Sequence, residues 1–121
     1  MQQTVMIVDD ALFIRAVLRG MLEELGYMVI AEAASGIDAM RMIRDHRPDI
    51  VFLDIILPDA NGIEVLDDLH ASHPELSVVI CSSIGQESTV QKALQHGAKA
   101  YIQKPLTIDS LAAALTKIAD R

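Results

Sequence analysis

Between Pro48 and Gly62 the chain runs Pro-Asp-Ile-Val-Phe-Leu-Asp-Ile-Ile-Leu-Pro-Asp-Ala-Asn-Gly. Ile50 to Leu53 are apolar and β-branched or bulky, and Pro48 and Pro58 bound the run, which is how a strand buried on both faces reads. A carboxylate, Asp54, closes it. A charge inside such a strand would carry a large desolvation cost, so Asp54 is expected to emerge at the strand's carboxyl end, where open parallel sheets hold their sites. A lone Asp after a strand more often begins a turn than carries chemistry. Asp54 gains weight from what stands at the corresponding places elsewhere in the chain.

Outward from this strand, the pattern alternates. Thr4 to Val8 is a short apolar run ending in the pair Asp9-Asp10. Leu12, Ile14, Val17, Leu18, Met21, Leu22 and Leu25 recur at threes and fours, an amphipathic helix with Gly26 as its stop. Met28 to Ala33 reads as a second strand, and Ser35 or Gly36 can cap a helix to about His46 with Ile37, Met40 and Ile43 facing inward. Beyond the central strand, Pro58 to Gly62 is a turn, followed by a helix from Ile63 to His70. A strand from Ser77 to Ser82, a helix from Ser88 to His96 ended by Gly97, a strand from Ala100 to Gln103 and a helix from Thr107 to Ala119, capped by Thr107 or Asp109, complete the chain. Strand followed by helix, with brief connections, predicts an α/β fold with a parallel sheet, right-handed crossovers and helices on both faces. At 121 residues the chain fits a single domain, 1–121, with no linker, repeat or low-complexity segment.

If the strands run parallel, their carboxyl ends bring Asp9, Asp10, Asp54, Ser82 and Lys104 to one rim of the sheet. Carboxylates gathered in a partly desolvated cleft repel one another, and a hard divalent cation with oxygen ligands would hold them ionised. Magnesium keeps several waters and leaves coordination positions for a phosphoryl oxygen. Ser82 adds a hydroxyl donor and Lys104 a point charge, both suited to a transferring phosphoryl group. Lys104 precedes Pro105, so its backbone is biased toward extended geometry and a cis bond is accessible. Together these residues describe a carboxylate nucleophile with a metal and two groups for the anion.

In these residues the chain resembles the receiver domain of two-component response regulators, especially stand-alone chemotaxis regulators of the CheY type. The family pattern is an acidic pair after strand one, an Asp after strand three with a Pro-x-x-(Asp/Asn)-Gly turn, Ser or Thr after strand four, and Lys-Pro after strand five. Here these are Asp9-Asp10, Asp54, Pro58-Asp59-Ala60-Asn61-Gly62, Ser82 and Lys104-Pro105, and the match runs end to end. Each element alone is weak; all of them in order are specific. The resemblance implies a flavodoxin-like doubly wound five-stranded parallel sheet of strand order 2-1-3-4-5. It implies Asp54 as the phosphoacceptor, charged by a sensor histidine kinase, with Mg2+, or Mn2+ as a substitute, held by Asp10, by Asp9 mostly through waters, by Asp54 and by the backbone carbonyl of Ile56. Lys104 and Ser82 would bind phosphoryl oxygens, and Tyr101 would turn inward as Ser82 moves toward the phosphate. The output implied is phosphorylation-dependent binding of a downstream protein, either the flagellar motor switch or an attached output domain, by a monomer or a phosphorylation-dependent dimer. Such a chain would catalyse its own phosphotransfer and slow dephosphorylation without being a classified enzyme.

The sequence departs from the family in three places. Ala60 stands where methionine is usual, which should loosen packing beneath the turn. Ile56 and Ile84, two positions beyond Asp54 and Ser82, replace residues that are often polar and should bear on phosphate lifetime.

Other classes fit less well. A phosphatase of the haloacid dehalogenase type needs a second Asp two residues after its nucleophile, where this chain has Ile56. A flavin binder of flavodoxin type needs a phosphate cradle after the first strand, where Asp9-Asp10 would repel the anion. With ten basic residues scattered among seventeen acidic ones and a net charge of -7, no nucleic-acid surface is expected. No apolar run approaches the roughly 20 residues of a membrane span and Met1 to Thr4 is too short for a signal peptide, so the expected location is the cytoplasm, away from membranes. Cys81, the sole cysteine, reads as an inert strand residue. His46, His70, His73 and His96 fall at helix ends or in loops, where helix carboxyl termini account for them better than a metal. Lys92, Lys99 and Lys117 read as dispersed surface charge. Whether the natural chain continues past Arg121 is left open by the sequence.

Overall fold

The structure is a computed structural model and describes residues 3–119. Its elements alternate: β1 (Thr4–Val8), α1 (Leu12–Glu24), β2 (Met28–Ala33), α2 (Gly36–His46), β3 (Ile50–Leu53), α3 (Gly62–Ser72), β4 (Ser77–Ser82), α4 (Glu87–Gln95), β5 (Ala100–Gln103) and α5 (Ile108–Ala119). All five strands pair in parallel, in the order β2-β1-β3-β4-β5. This is the flavodoxin-like doubly wound sheet, and β3 lies at its centre because its run carries no side chain that needs water.

Alternation along the strands splits the interior into two cores. Met6, Val8, Val51, Leu53, Val78 and Ile80 point to one face, where Ala39 and Ile43 of α2, Leu66 and Leu69 of α3 and Ala93 of α4 cover them. Val5, Ile7, Ile50, Phe52, Val79 and Cys81 point to the other, covered by Leu18 and Leu22 of α1 and by Leu111, Ala114 and Leu115 of α5. Burial pushes the Cys81 thiol far above its ordinary range, as an inert core residue requires.

Two residues assigned to inner faces lie outside. Ile37 is 74% exposed and Leu12 is 71% exposed. At about 100° per residue, a helix that directs Ala39 and Ile43 inward carries Ile37 well round from that face, and Leu18 with Leu22 does the same to Leu12. Helix ends also differ by a residue or two, as at α3, which starts at Gly62 and runs to Ser72. Thr107, not Asp109, caps α5: its Oγ1 accepts from Ser110 N at 3.0 Å while Ser110 Oγ accepts from Thr107 N at 3.1 Å. No described helix is long and apolar enough to cross a membrane.

Candidate functional site

Register assembles the site. Val8 pairs with Leu53 across β1 and β3, so the next residues, Asp9 and Asp54, come off the sheet side by side. Backbone bonds hold them there: Asp54 N donates to Val8 O and Asp9 N to Ala33 O, both at 3.0 Å. The carboxylates of Asp9, Asp10 and Asp54 each place an oxygen within 4.8 Å of the others. Asp9 and Asp54 are buried, at 3% and 7% exposure, whereas Asp10 faces solvent. A cavity of about 480 Å3 opens elsewhere, beside Arg47, Asp49 and His73, and none of these carboxylates lines it.

Lys104 is the cation of this cluster. Its backbone N donates to Ser82 O at 2.8 Å, tying the end of β5 to the end of β4, and the Lys104-Pro105 bond is cis. From there Nζ reaches Asp9 Oδ2 at 2.7 Å and Asp54 Oδ2 at 3.2 Å. Burial alone would lower the Lys104 ammonium, but Asp9 and Asp54 outweigh it and hold the group above its ordinary value. For Asp54 the balance tips the other way. Burial raises its carboxyl, helped by Asp9, more than the Ile56 amide and Lys104 lower it. One ammonium against three carboxylates leaves the cluster under-compensated, and its all-oxygen donor set suits a hard divalent cation such as magnesium.

The neighbouring strands β4 and β5 carry the hydroxyls, Ser82 at the end of one and Tyr101 within the other. Ser82 is fully buried, and its Oγ accepts from Ile84 N at 3.1 Å. Tyr101 is half-buried against the core, and its hydroxyl donates to the carbonyl of Ile84. Burial raises the Tyr101 phenol, so it remains a neutral donor. Ser82, Ile84 and Tyr101 thus form one mechanical unit. Ile84 is half-buried and packs on the core, whereas Ile56, whose amide donates to Asp54 Oδ1 at 3.2 Å, is 57% exposed.

A family profile described as the response regulator receiver domain matches residues 5–116. This chain belongs to the response regulator receiver family. It is similar to the chemotaxis protein CheY of Listeria monocytogenes, with 39% identity over 94% of this chain and 96% of that protein, and to CheY of Thermotoga maritima, with 36% identity over 98% and 99%. Among solved structures it resembles the CheX-CheY-BeF3-Mg+2 complex from Borrelia burgdorferi, with a TM-score of 0.93 and 31% identity over 97% of this chain and 89% of that one. A two-component response regulator of the LuxR family from Aurantimonas gives a TM-score of 0.92 at 32% identity, covering 100% of this chain and 88% of that one.

Of the residues that its sequence pattern nominated, the receiver gathers Asp9, Asp10, Asp54 and Lys104 in one cluster and bonds the Ile56 amide, not its carbonyl, to Asp54. Ser82 adjoins them through its carbonyl, which accepts from Lys104 N, and Tyr101 is tied to Ser82 through Ile84. Three contacts escape that pattern. Asp59 accepts from Gly36 N at 2.7 Å and Ile37 N at 3.0 Å, so the turn after Asp54 caps α2. Ala60 is half-buried against the core, and Gly36 approaches it so closely that a Cβ there would lie 3.0 Å from that of Ala60. His96 caps the carboxyl end of α4 and also pairs through Nδ1 with Asp67 of α3 at 2.5 Å, and among the described residues no histidine joins the acidic cluster. An Asp in a Pro-Asp turn was legible as a turn former, but its partner helix was not.

Proposed function

We propose that this receiver accepts a phosphoryl group on Asp54 from the phosphohistidine of a sensor histidine kinase and signals by binding a downstream protein while phosphorylated. The observation that carries the reading is the single cluster in which the Asp54 carboxylate lies beside Asp9, Asp10 and Lys104 Nζ. An Asp54 oxygen attacks phosphorus, the phosphorus–nitrogen bond breaks, and its electron pair leaves with the imidazole. Charge builds on the equatorial phosphoryl oxygens. Lys104 can turn one of its N–H donors from Asp9 and Asp54 to such an oxygen, and Ser82 Oγ–H can donate to another. Asp10, Asp54 and the Ile56 carbonyl, with Asp9 acting through water, are the residues that would hold magnesium or manganese. That ion, when bound, neutralises charge shared by the carboxylates and the phosphoryl group.

The chain thereby promotes transfer onto itself rather than turning over a separate substrate. The CheY relatives, matched over nearly their whole length, support a chemotaxis-type output with a protein such as the flagellar motor switch as target. With acetyl phosphate and magnesium, intact-protein mass spectrometry should show one added phosphate, lost on chelation or in Asp54→Ala. Labelling of Asp54→Ala equal to the parent would overturn the assignment.

A further inference from the structure

Arg15 of α1 keeps only 14% of its side chain exposed, deep for a guanidinium. It spans two partners. Nε donates to Glu32 Oε1 on β2 at 2.9 Å, and Nη1 donates to the main-chain carbonyl of Asp9 at 2.6 Å. Glu32 is gripped from its other side by Arg19, whose Nε donates to Oε2 at 2.7 Å. Burial would raise the Glu32 carboxyl, but Arg19 and Arg15 outweigh it and hold the group below its ordinary range, keeping it ionised. A line of charge-assisted bonds therefore runs from the edge strand to the peptide that joins Asp9 to Asp10.

That peptide matters because it is planar: fixing the Asp9 carbonyl also fixes the N–H and Cα of Asp10. Asp9 is anchored at its other polar atoms too, with its N–H on Ala33 O, Oδ1 accepting from Ala11 N at 2.9 Å and Oδ2 on Lys104. Asp10 differs. Among the described residues its carboxylate has no hydrogen-bond or ion-pair partner, so the backbone alone aims it at the cluster. The geometry points to Arg15, locked by Glu32, as a positioning residue that orients the Asp9-Asp10 peptide and so presents Asp10 to a divalent cation. This rests on the reading of the acidic cluster as a cation site.

A purely structural brace between α1 and β2 is the competing account, and Arg19 separates the two. It shares Glu32 and reaches the Val29 carbonyl at 3.4 Å, but its contacts do not include Asp9. Manganese titration of the full chain, followed by the paramagnetic resonance of the free ion, would be run beside metal-free melting curves. Outer partners of metal ligands are commonly worth 10–100-fold in affinity, so Arg15→Met should weaken binding about tenfold and Arg19→Met less than about twofold, although both lose a Glu32 ion pair and some thermal stability. Glu32→Gln should fall between them. If Arg15→Met does not fold, Arg15→Lys carries the test: its single ammonium keeps the charge but not the fork that holds both partners, and its affinity should drop severalfold. Parent-like affinity in the folded Arg15 variant, or equal weakening by Arg19→Met, overturns the proposal while leaving the cation site standing. A parent that binds no manganese overturns both.

Discussion

Asp54 must be ionised to act as a nucleophile, yet its burial favours the protonated form. Lys104 offsets part of that cost and a bound cation would offset more, so the proposed phosphorylation of Asp54 should depend on metal. Once formed, an acyl phosphate at this position would face Ile56 and Ile84. Neither can orient an attacking water by hydrogen bonding, although they screen the site differently: Ile84 is packed on the core while Ile56 is largely exposed at the rim. A positioned proton acceptor is commonly worth on the order of a hundredfold in rate. Ile56→Asn with Ile84→Glu should therefore shorten the phosphate lifetime by tenfold or more relative to this chain. Dephosphorylation followed after donor removal checks this. An unchanged or slower rate in the folded double variant would show that loop motion or Lys104 governs water access. Ile84, the one of the two packed on the core, should show the larger single effect.

At the scale of elements, the turn after β3 and the start of α2 are one structure. Asp59 satisfies two amides that a helix start leaves without intrahelical partners, in addition to the bond from Asp38 N to Ser35 Oγ at 3.2 Å. Those amides, Gly36 first and then Ile37, hold the Asp59 carboxyl below its ordinary value of 3.8. A carboxyl lowered by folding contributes stability that is fully present above the unfolded value and is lost as pH falls through the folded one. Asp59→Ala should consequently melt at a lower temperature than the parent at pH 7, and the gap should shrink below pH 3.8. Melting curves across that range test it; a gap independent of pH would mean that the side chain acts by packing.

Across the whole molecule, the sheet separates α1 and α5 from α2, α3 and α4, and Tyr101 of β5 bonds Ile84 in the loop that follows Ser82 at the end of β4. If Ser82 shifts to donate to a phosphoryl oxygen, its bond to Ile84 N changes, and Ile84 transmits that change to the tyrosine. A phosphorylated population should then show amide chemical-shift changes through residues 85–107, and Tyr101→Ala should confine them near the pocket while Asp54 is still labelled. Changes restricted to the pocket in the parent would break this link between site and output surface.

Local pattern alone determined the order of elements and the residues that end the strands, because a buried strand must shed its charges at its ends and parallel pairing collects those ends on one rim. Asp54, Ser82 and Lys104 were legible for that reason. Contacts made across the fold were settled only by strand register and helix rotation, to which hydrophobic periodicity is blind. Lys104 divides its charge between Asp9, 95 residues away, and Asp54, 50 away. Arg15 finds Glu32 at 17 residues and Asp59 finds Gly36 at 23, pairs of ordinary surface-type residues whose spacing carries no signal until the tertiary structure sets them face to face.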